Sequence, residues 1–195
     1  MTNVEDLIQN HMADLICLRH EIHQNPELGY QEHGTAKRVV AALDGIEGLD
    51  IRKGVAETGV GVTLGADRPR PMVALRADMD ALAIQETSGL PYASATDGKM
   101  HACGHDGHTT CLVGAVRVLS AIRDELAGPV RFVFQPAEEG GGGGGRMCDE
   151  GVLDGVKAIF GLHGWPYLPQ GELGVRSGPF LASSDRFRIV VDGQG

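Results

Sequence analysis

Three short, largely apolar runs each stop at polar residues able to do chemistry. Met72-Val73-Ala74-Leu75 is followed by Arg76, Asp78 and Asp80. Val130-Arg131-Phe132-Val133-Phe134 is followed by Gln135, Glu138 and Glu139. Ala158-Ile159-Phe160-Gly161-Leu162 ends at His163. Runs of this length suit strands buried on both faces of a sheet. The stretches between them repeat apolar residues at spacings of three and four, which marks helices. Strands alternating with helices specify an α/β fold with a mainly parallel central sheet flanked by helices. Such sheets gather their sites at the carboxyl ends of the strands. Segments far apart in sequence are therefore expected to meet along one sheet edge.

The remaining elements follow from local pattern. Val4, Leu7, His11, Leu15, Leu18 and Ile22 predict a helix over 4–23, capped by Asn3 and ended by Asn25-Pro26. His11 on this stripe reads as a packed core histidine. A second helix carries Ala36, Val39, Val40 and Leu43, and is closed by Gly45 and Gly48. Val60, Val62 and Leu64 read as a strand. Leu112, Ala115, Val116, Leu119 and Ile122 define a helix from near Gly107 to near Leu126, and a short helix is expected around 146–150. Cys17 and Cys111 fall within helical patterns and read as core fillers. From about Gly171 the pattern changes. Leu173 and Val175, then Phe187, Ile189 and Val191, read as strands, with a hinge at Ser183-Ser184-Asp185.

The chain has 195 residues, 42% apolar and 22% charged, which suits one ordinary domain with a sizeable core. No apolar run approaches the ~20 residues of a membrane span. The N-terminus lacks the basic-then-apolar pattern of a secretory signal, so a cytoplasmic location is the default expectation. A net charge of −9 argues against nucleic acid and against an anionic membrane as partner, since both require a basic face. The four cysteines, Cys17, Cys103, Cys111 and Cys148, are expected to be reduced thiols.

Cys103 stands apart because of its neighbours. His101, Cys103, His105, Asp106 and His108 lie within eight residues, interleaved with glycine. One glycine separates Cys103 from His105, so both can turn towards one ion. Zinc-like ions accept thiolate, imidazole and carboxylate ligands, and a thiolate near two cations would stay deprotonated. A purely structural zinc site is the competing reading, but it favours paired cysteines and there is no Cys-x-x-Cys. Adjacent Glu138 and Glu139 cannot readily point the same way in an extended segment. One suits a metal while the other suits general-base work; a solvated surface pair is the plain alternative. The glycine run 140–145 is not followed by Lys-Ser or Lys-Thr, so no Walker pattern exists. It reads as a tight loop that brings backbone close to the metals or offers amide donors to an anionic group. Asp80 and Asp106 either orient ligand imidazoles or cap a helix or turn. His108, one turn into its helix, reads as a neighbour of the ligands. His20, His23 and His33 read as structural or exposed.

These residues carry a resemblance. The chain resembles the amidohydrolase branch of the aminoacylase–carboxypeptidase metallopeptidase family, which includes hippurate hydrolases, N-acyl-amino-acid amidohydrolases and plant indoleacetyl-amino-acid hydrolases. The matching segments are Leu18-Arg19-His20-Glu21-Ile22-His23 with Pro26-Glu27-Leu28-Gly29, Leu75 to Leu82, His101 to His108, Gln135 to Gly144, and Gly161-Leu162-His163 with Pro166. The resemblance implies a centre of two divalent metal ions (zinc, manganese or cobalt). Its ligands would be Cys103, His105, Glu139 and His163, with Glu138 as general base and Asp80 beside the metals. It implies hydrolysis of the amide bond of small N-acyl amino acids: water held between the metals attacks the acyl carbonyl, and Glu138 carries the proton. The same chemistry would serve a carboxypeptidase.

Ala83 departs from the pattern, since many relatives have proline there. Length is the larger departure, because relatives are about double this size. They insert a lid or dimerisation domain after the segment matching Gly178–Ser184, then return to the first sheet with a further metal-binding histidine. The expected organisation is therefore a catalytic domain over 1–184 without its return segment, and the first strand of a truncated α+β lid over 185–195. A homodimer is expected at full length. The rival expectation is a truncated member that binds metal or a partner without turnover.

Overall fold

The side chain of Asn3 accepts a hydrogen bond from the Glu5 amide at 3.1 Å and opens the first helix, α1 (Val4–Gln24). Glu5 and Asp6 in its first turn complement the helix dipole. The computed structural model describes residues 3–69, 71–181 and 187–194. Two compact units are distinguished, Met1–Gly164 and Trp165–Gly195.

The first unit continues with α2 (His33–Ala42), β1 (Leu49–Val55), β2 (Gly59–Leu64), β3 (Met72–Asp78), α3 (His105–Ala121), β4 (Val130–Gln135), α4 (Gly143–Asp149) and β5 (Val156–Gly161). The residue just before α2, Glu32, makes no capping bond. Glu27 takes that role from outside the helix, accepting from the amides of Gly34 (2.9 Å) and Thr35 (2.7 Å) and from the Thr35 hydroxyl (2.9 Å). This satisfies amides that a helix start leaves unpaired.

The five strands are ordered β1-β2-β4-β3-β5. β3 runs parallel to both β4 and β5, while β2 runs antiparallel to β4 and to β1. Only β2 therefore opposes the common direction, and the sheet is mainly parallel, as its residues imply. The carboxyl ends of β3, β4 and β5 fall on one edge, where Asp78 pairs with Gln135.

Side chains alternate across this sheet with a period of two. Val60, Val62, Leu64, Phe132 and Phe134 pack under α1, α2 and α3 with Ile22, Val39, Leu43, Leu112, Val113 and Val116. Ala74 and Val133 point to the other face and meet Met147 of α4 with Val55, Ala56 and Val152. The helical face holds the larger core, so the sheet edge is supported mainly from that side.

Several expectations change. β1 is an additional strand; its single alternation of Leu49 and Ile51 lies at a half-buried edge. β5 is an edge strand, with Phe160 61% exposed, because only β3 flanks it among the described residues. Cys17 and Cys111 are exposed rather than core fillers, since each sits on the outer face of its helix. In the second unit no strand forms among the described residues. Phe187, Ile189 and Val191 are largely exposed and have no ladder partner there, and a strand without a partner leaves its backbone groups unpaired. The hinge expected at 183–185, and with it the boundary at 184/185, lies outside the described residues. No helix among the described residues is long and apolar enough to cross a membrane.

Candidate metal centre

Four segments of the first unit meet at the carboxyl edge of the sheet. Gly104, at φ 88°, precedes α3 in the left-handed region that favours glycine. This turn separates Cys103, before the helix, from His105 at its first position. His163 follows β5, and Glu138 and Glu139 follow β4. The ligand atoms of Cys103, His105 and His163 lie within 4.8 Å of one another, and so do those of His105, Glu138 and Glu139. His105 is common to both groups and fully buried. Cys103 Sγ is 3.5 Å from His163 Nε2, and His105 Nε2 is 3.8 Å from Glu139 Oε1.

Hydrogen bonding assigns the tautomers. His105 Nδ1 donates to the main-chain oxygen of Asp80 at 2.8 Å. His163 Nδ1 donates to the main-chain oxygen of Gly164 at 2.7 Å. Both rings thus offer an unprotonated Nε2. That of His105 is buried without a hydrogen-bond partner among the described residues. Leaving a buried polar atom unpaired costs about 1–3 kcal/mol, and a cation is what such a lone pair accepts. A thiol sulfur, two unprotonated imidazole nitrogens and a carboxylate form a donor set that suits a zinc-like ion.

The local field agrees. Burial opposes charge on His105, but the hydrogen bond to Asp80 and the charges of Asp78, Asp80 and Glu139 outweigh it and raise its pKa. Burial, followed by Glu139, Asp78 and Glu138, pushes the Cys103 thiol up to about 12. Two neighbouring cations would act in the opposite direction on that thiol. Both shifts describe a spot that favours positive charge.

Asp78 has no role in the sequence reading, yet it organises the floor of the site. His108 Nδ1 donates to its Oδ1 at 2.7 Å and Arg76 to its Oδ2 at 2.8 Å. Burial alone would raise its pKa, but His108, His105 and Arg76 together hold it down to about 2. The other ring nitrogen of His108 accepts from the Gly164 amide at 2.8 Å. His108 is thereby saturated, and it braces the loop that carries His163. The sequence clue to Asp78 was its place at the end of β3, two residues before Asp80.

Asp80 is buried, and its two carboxylate oxygens accept from the amides of Glu138 and Glu139, each at 3.0 Å. Asp106 does not orient a ligand imidazole. Its Oδ2 accepts from His23 Nδ1 and Arg19 Nε, both at 2.9 Å, because the first turn of α3 directs it towards α1. His23 also reaches Glu86 at 3.3 Å, in keeping with a structural role. His101 is buried without partners for either nitrogen among the described residues, and burial drives its pKa down to about 4.

Glu138 and Glu139 sit in a turn, not in the extended segment assumed from sequence, and both come within reach of His105. The glycine run makes this turn possible through close packing on the strand end. A Cβ at Gly143 would stand 1.8 Å from the Pro136 oxygen, and one at Gly141 would stand 2.6 Å from the Ala137 Cβ. At Gly145 nothing lies within 4 Å. Gly143→Ala should therefore unseat the loop and abolish metal uptake. Gly145→Ala, inside α4, should keep metal uptake and gain up to roughly 1 kcal/mol of helix propensity. Thermal unfolding and metal titration of the two variants compare them directly.

The chain is 48% identical over 183 residues to the N-acetylcysteine deacetylase of Bacillus subtilis, covering 93% of this chain and 48% of that protein. It is 49% identical over 181 residues to the IAA-amino acid hydrolase ILR1-like 4 of Arabidopsis thaliana, covering 93% of this chain and 41% of that protein. The chain thus spans about half the length of the curated relatives it matches. Among solved structures, the Bacillus subtilis YXEP protein, described as a dinuclear metal binding peptidase from the M20 family, superposes with a TM-score of 0.83 at 44% identity. That match covers 88% of this chain and 48% of that one. The model of peptidase family M20/M25/M40 matches residues 74–192, which include every group gathered at the sheet edge, and the chain belongs to that family.

Proposed function

We propose that this chain carries the metal-binding half of an amidohydrolase that cleaves the amide bond of small N-acyl amino acids. One observation carries the reading. The Nε2 atoms of His105 and His163 gather with the sulfur of Cys103, and His105 gathers as well with the carboxylates of Glu138 and Glu139. The substrate class is supported by the relatives, whose names include N-acetylcysteine deacetylase, IAA-amino acid hydrolase and N-acyl-L-amino acid amidohydrolase.

In this reading Cys103, His105, Glu139 and His163 hold divalent cations, with the second metal supported by the dinuclear relative. When bound, the cations polarise the acyl carbonyl, acidify a water molecule and stabilise the oxyanion. Glu138 accepts the proton of the attacking water and delivers it to the nitrogen of the leaving amino acid. The carbonyl carbon gains one C–O bond and loses its C–N bond, giving a carboxylic acid and a free amino acid. Glu139 is the better ligand of the two acids because its carboxylate lies 3.8 Å from His105 Nε2.

The test uses the protein containing this chain, loaded with Mn²⁺, Zn²⁺ or Co²⁺ and offered N-acetyl and N-benzoyl amino acids. Release of free amino acid, abolished by a chelator and restored by metal, is expected. Metal uptake without release fits the rival reading of a metal-binding fragment. Release that survives the chelator contradicts the proposal.

A further inference from the structure

The segment Pro26 to Glu32 contributes no ligand, yet it packs on Ala137, the residue just before the paired acids. Glu32 within it is a fully buried carboxylate. It does not cap α2, because Glu27 does that. Its Oε2 instead accepts from the Thr58 hydroxyl at 2.5 Å, and its Oε1 accepts from the Ala137 amide at 2.8 Å. Ala137 is buried and held at φ 50°, a left-handed conformation uncommon for a residue with a Cβ. From this residue the chain leaves β4 and turns so that Glu138 and Glu139 face His105.

Two carboxylates therefore hold three consecutive amides. Glu32 takes that of Ala137, and Asp80 takes those of Glu138 and Glu139. Gly29 closes the arrangement from the side, since a Cβ there would stand 3.1 Å from both Cα and Cβ of Ala137. Burying a carboxylate is costly unless its partners need it, and here one partner is the residue that aims the site. Resting on the function proposed above, we infer that Glu32 is a positioning residue of the metal centre: it fixes the left-handed turn at Ala137 and so sets where Glu138 and Glu139 stand.

Cobalt(II) alone is the probe, titrated into the protein containing this chain. Wild type should show a thiolate-to-cobalt charge-transfer band from Cys103 together with visible d–d bands. Glu32→Leu keeps the volume but cannot accept the Ala137 amide. It should keep the thiolate band, alter the d–d bands at saturating cobalt, and weaken cobalt binding roughly tenfold, in the range seen when outer partners of metal ligands are lost. Glu32→Gln keeps an oxygen for Ala137 and turns its amide to the Thr58 hydroxyl, so it should restore the wild-type spectrum and affinity. A loss of global stability alone would not change the d–d bands of the folded, saturated protein. Should Glu32→Leu fail to fold, Gly29→Ala crowds Ala137 through a Cβ 3.1 Å from its Cα and Cβ, and should alter the same bands. Wild-type spectra and affinities in both Glu32→Leu and Gly29→Ala would overturn the inference while leaving the metal site intact. A Glu32→Gln variant as impaired as Glu32→Leu would also overturn it. Absence of cobalt binding by wild type would instead remove the proposed function, and this inference with it.

Discussion

Glu138→Gln is expected to lower kcat for N-acyl amino acid hydrolysis by roughly a hundred- to ten-thousand-fold, the usual worth of a general acid–base group. Gln matches Glu in volume and keeps an oxygen, so the loop should stay in place. Only the ability to take and return a proton is lost. The Glu138 amide, which ties the residue to Asp80 at 3.0 Å, is unaffected by the change. Metal affinity and KM should therefore stay near wild type. That split between kcat and binding distinguishes a base from a ligand, and steady-state kinetics with a parallel metal titration measures it. A Glu138→Gln protein that loses its metal but turns over normally when metal is supplied in excess would exchange the roles given to Glu138 and Glu139.

Cys103→Ser should weaken metal binding strongly. Among the described residues the thiol is the only sulfur within the cluster, 3.5 Å from His163 Nε2. Serine at this position offers a hydroxyl that stays protonated and binds a soft-tolerant cation poorly. Affinity for zinc or cobalt should fall by more than the roughly 10–100-fold that losing a mere outer partner costs. The thiolate charge-transfer band should vanish. Cys17, Cys111 and Cys148 are exposed and outside the cluster, so their serine variants should titrate like wild type. An unchanged cobalt band in Cys103→Ser would assign the sulfur ligand elsewhere.

Much of this site was readable in the residues because α/β topology imposes a rule on where strands end. Three apolar runs, each stopped by ionisable residues, placed Asp78, Asp80, Glu138, Glu139 and His163 at one edge, while the ligand set with Cys103 and His105 was what the family resemblance implied. Turns and edges were harder to read. The left-handed conformation of Ala137 carries no mark in an alanine, so the glutamates were expected in an extended segment. Asp106 looked like a helper of the ligands because it follows His105 in sequence. The 100° step between successive helix residues turns it instead towards His23 and Arg19. Glu32 gave no local signal, since its partner lies 105 residues away. β1 and the exposure of β5 depend on which strands and helices lie alongside, and an apolar pattern alone does not report that.

Convergence of four donors from three separate segments is the claim on which the rest depends. Diffraction from crystals of the zinc-loaded protein, recorded at the zinc absorption edge, tests it most directly. An anomalous peak should lie about 2.3 Å from Cys103 Sγ and about 2.0–2.2 Å from Nε2 of a neighbouring histidine and a Glu139 oxygen, the usual zinc bond lengths. His105 and His163 should supply those nitrogens. A well-ordered peak bonded to neither Cys103 nor His105, or no peak at this edge of the sheet in zinc-saturated crystals, would contradict the account.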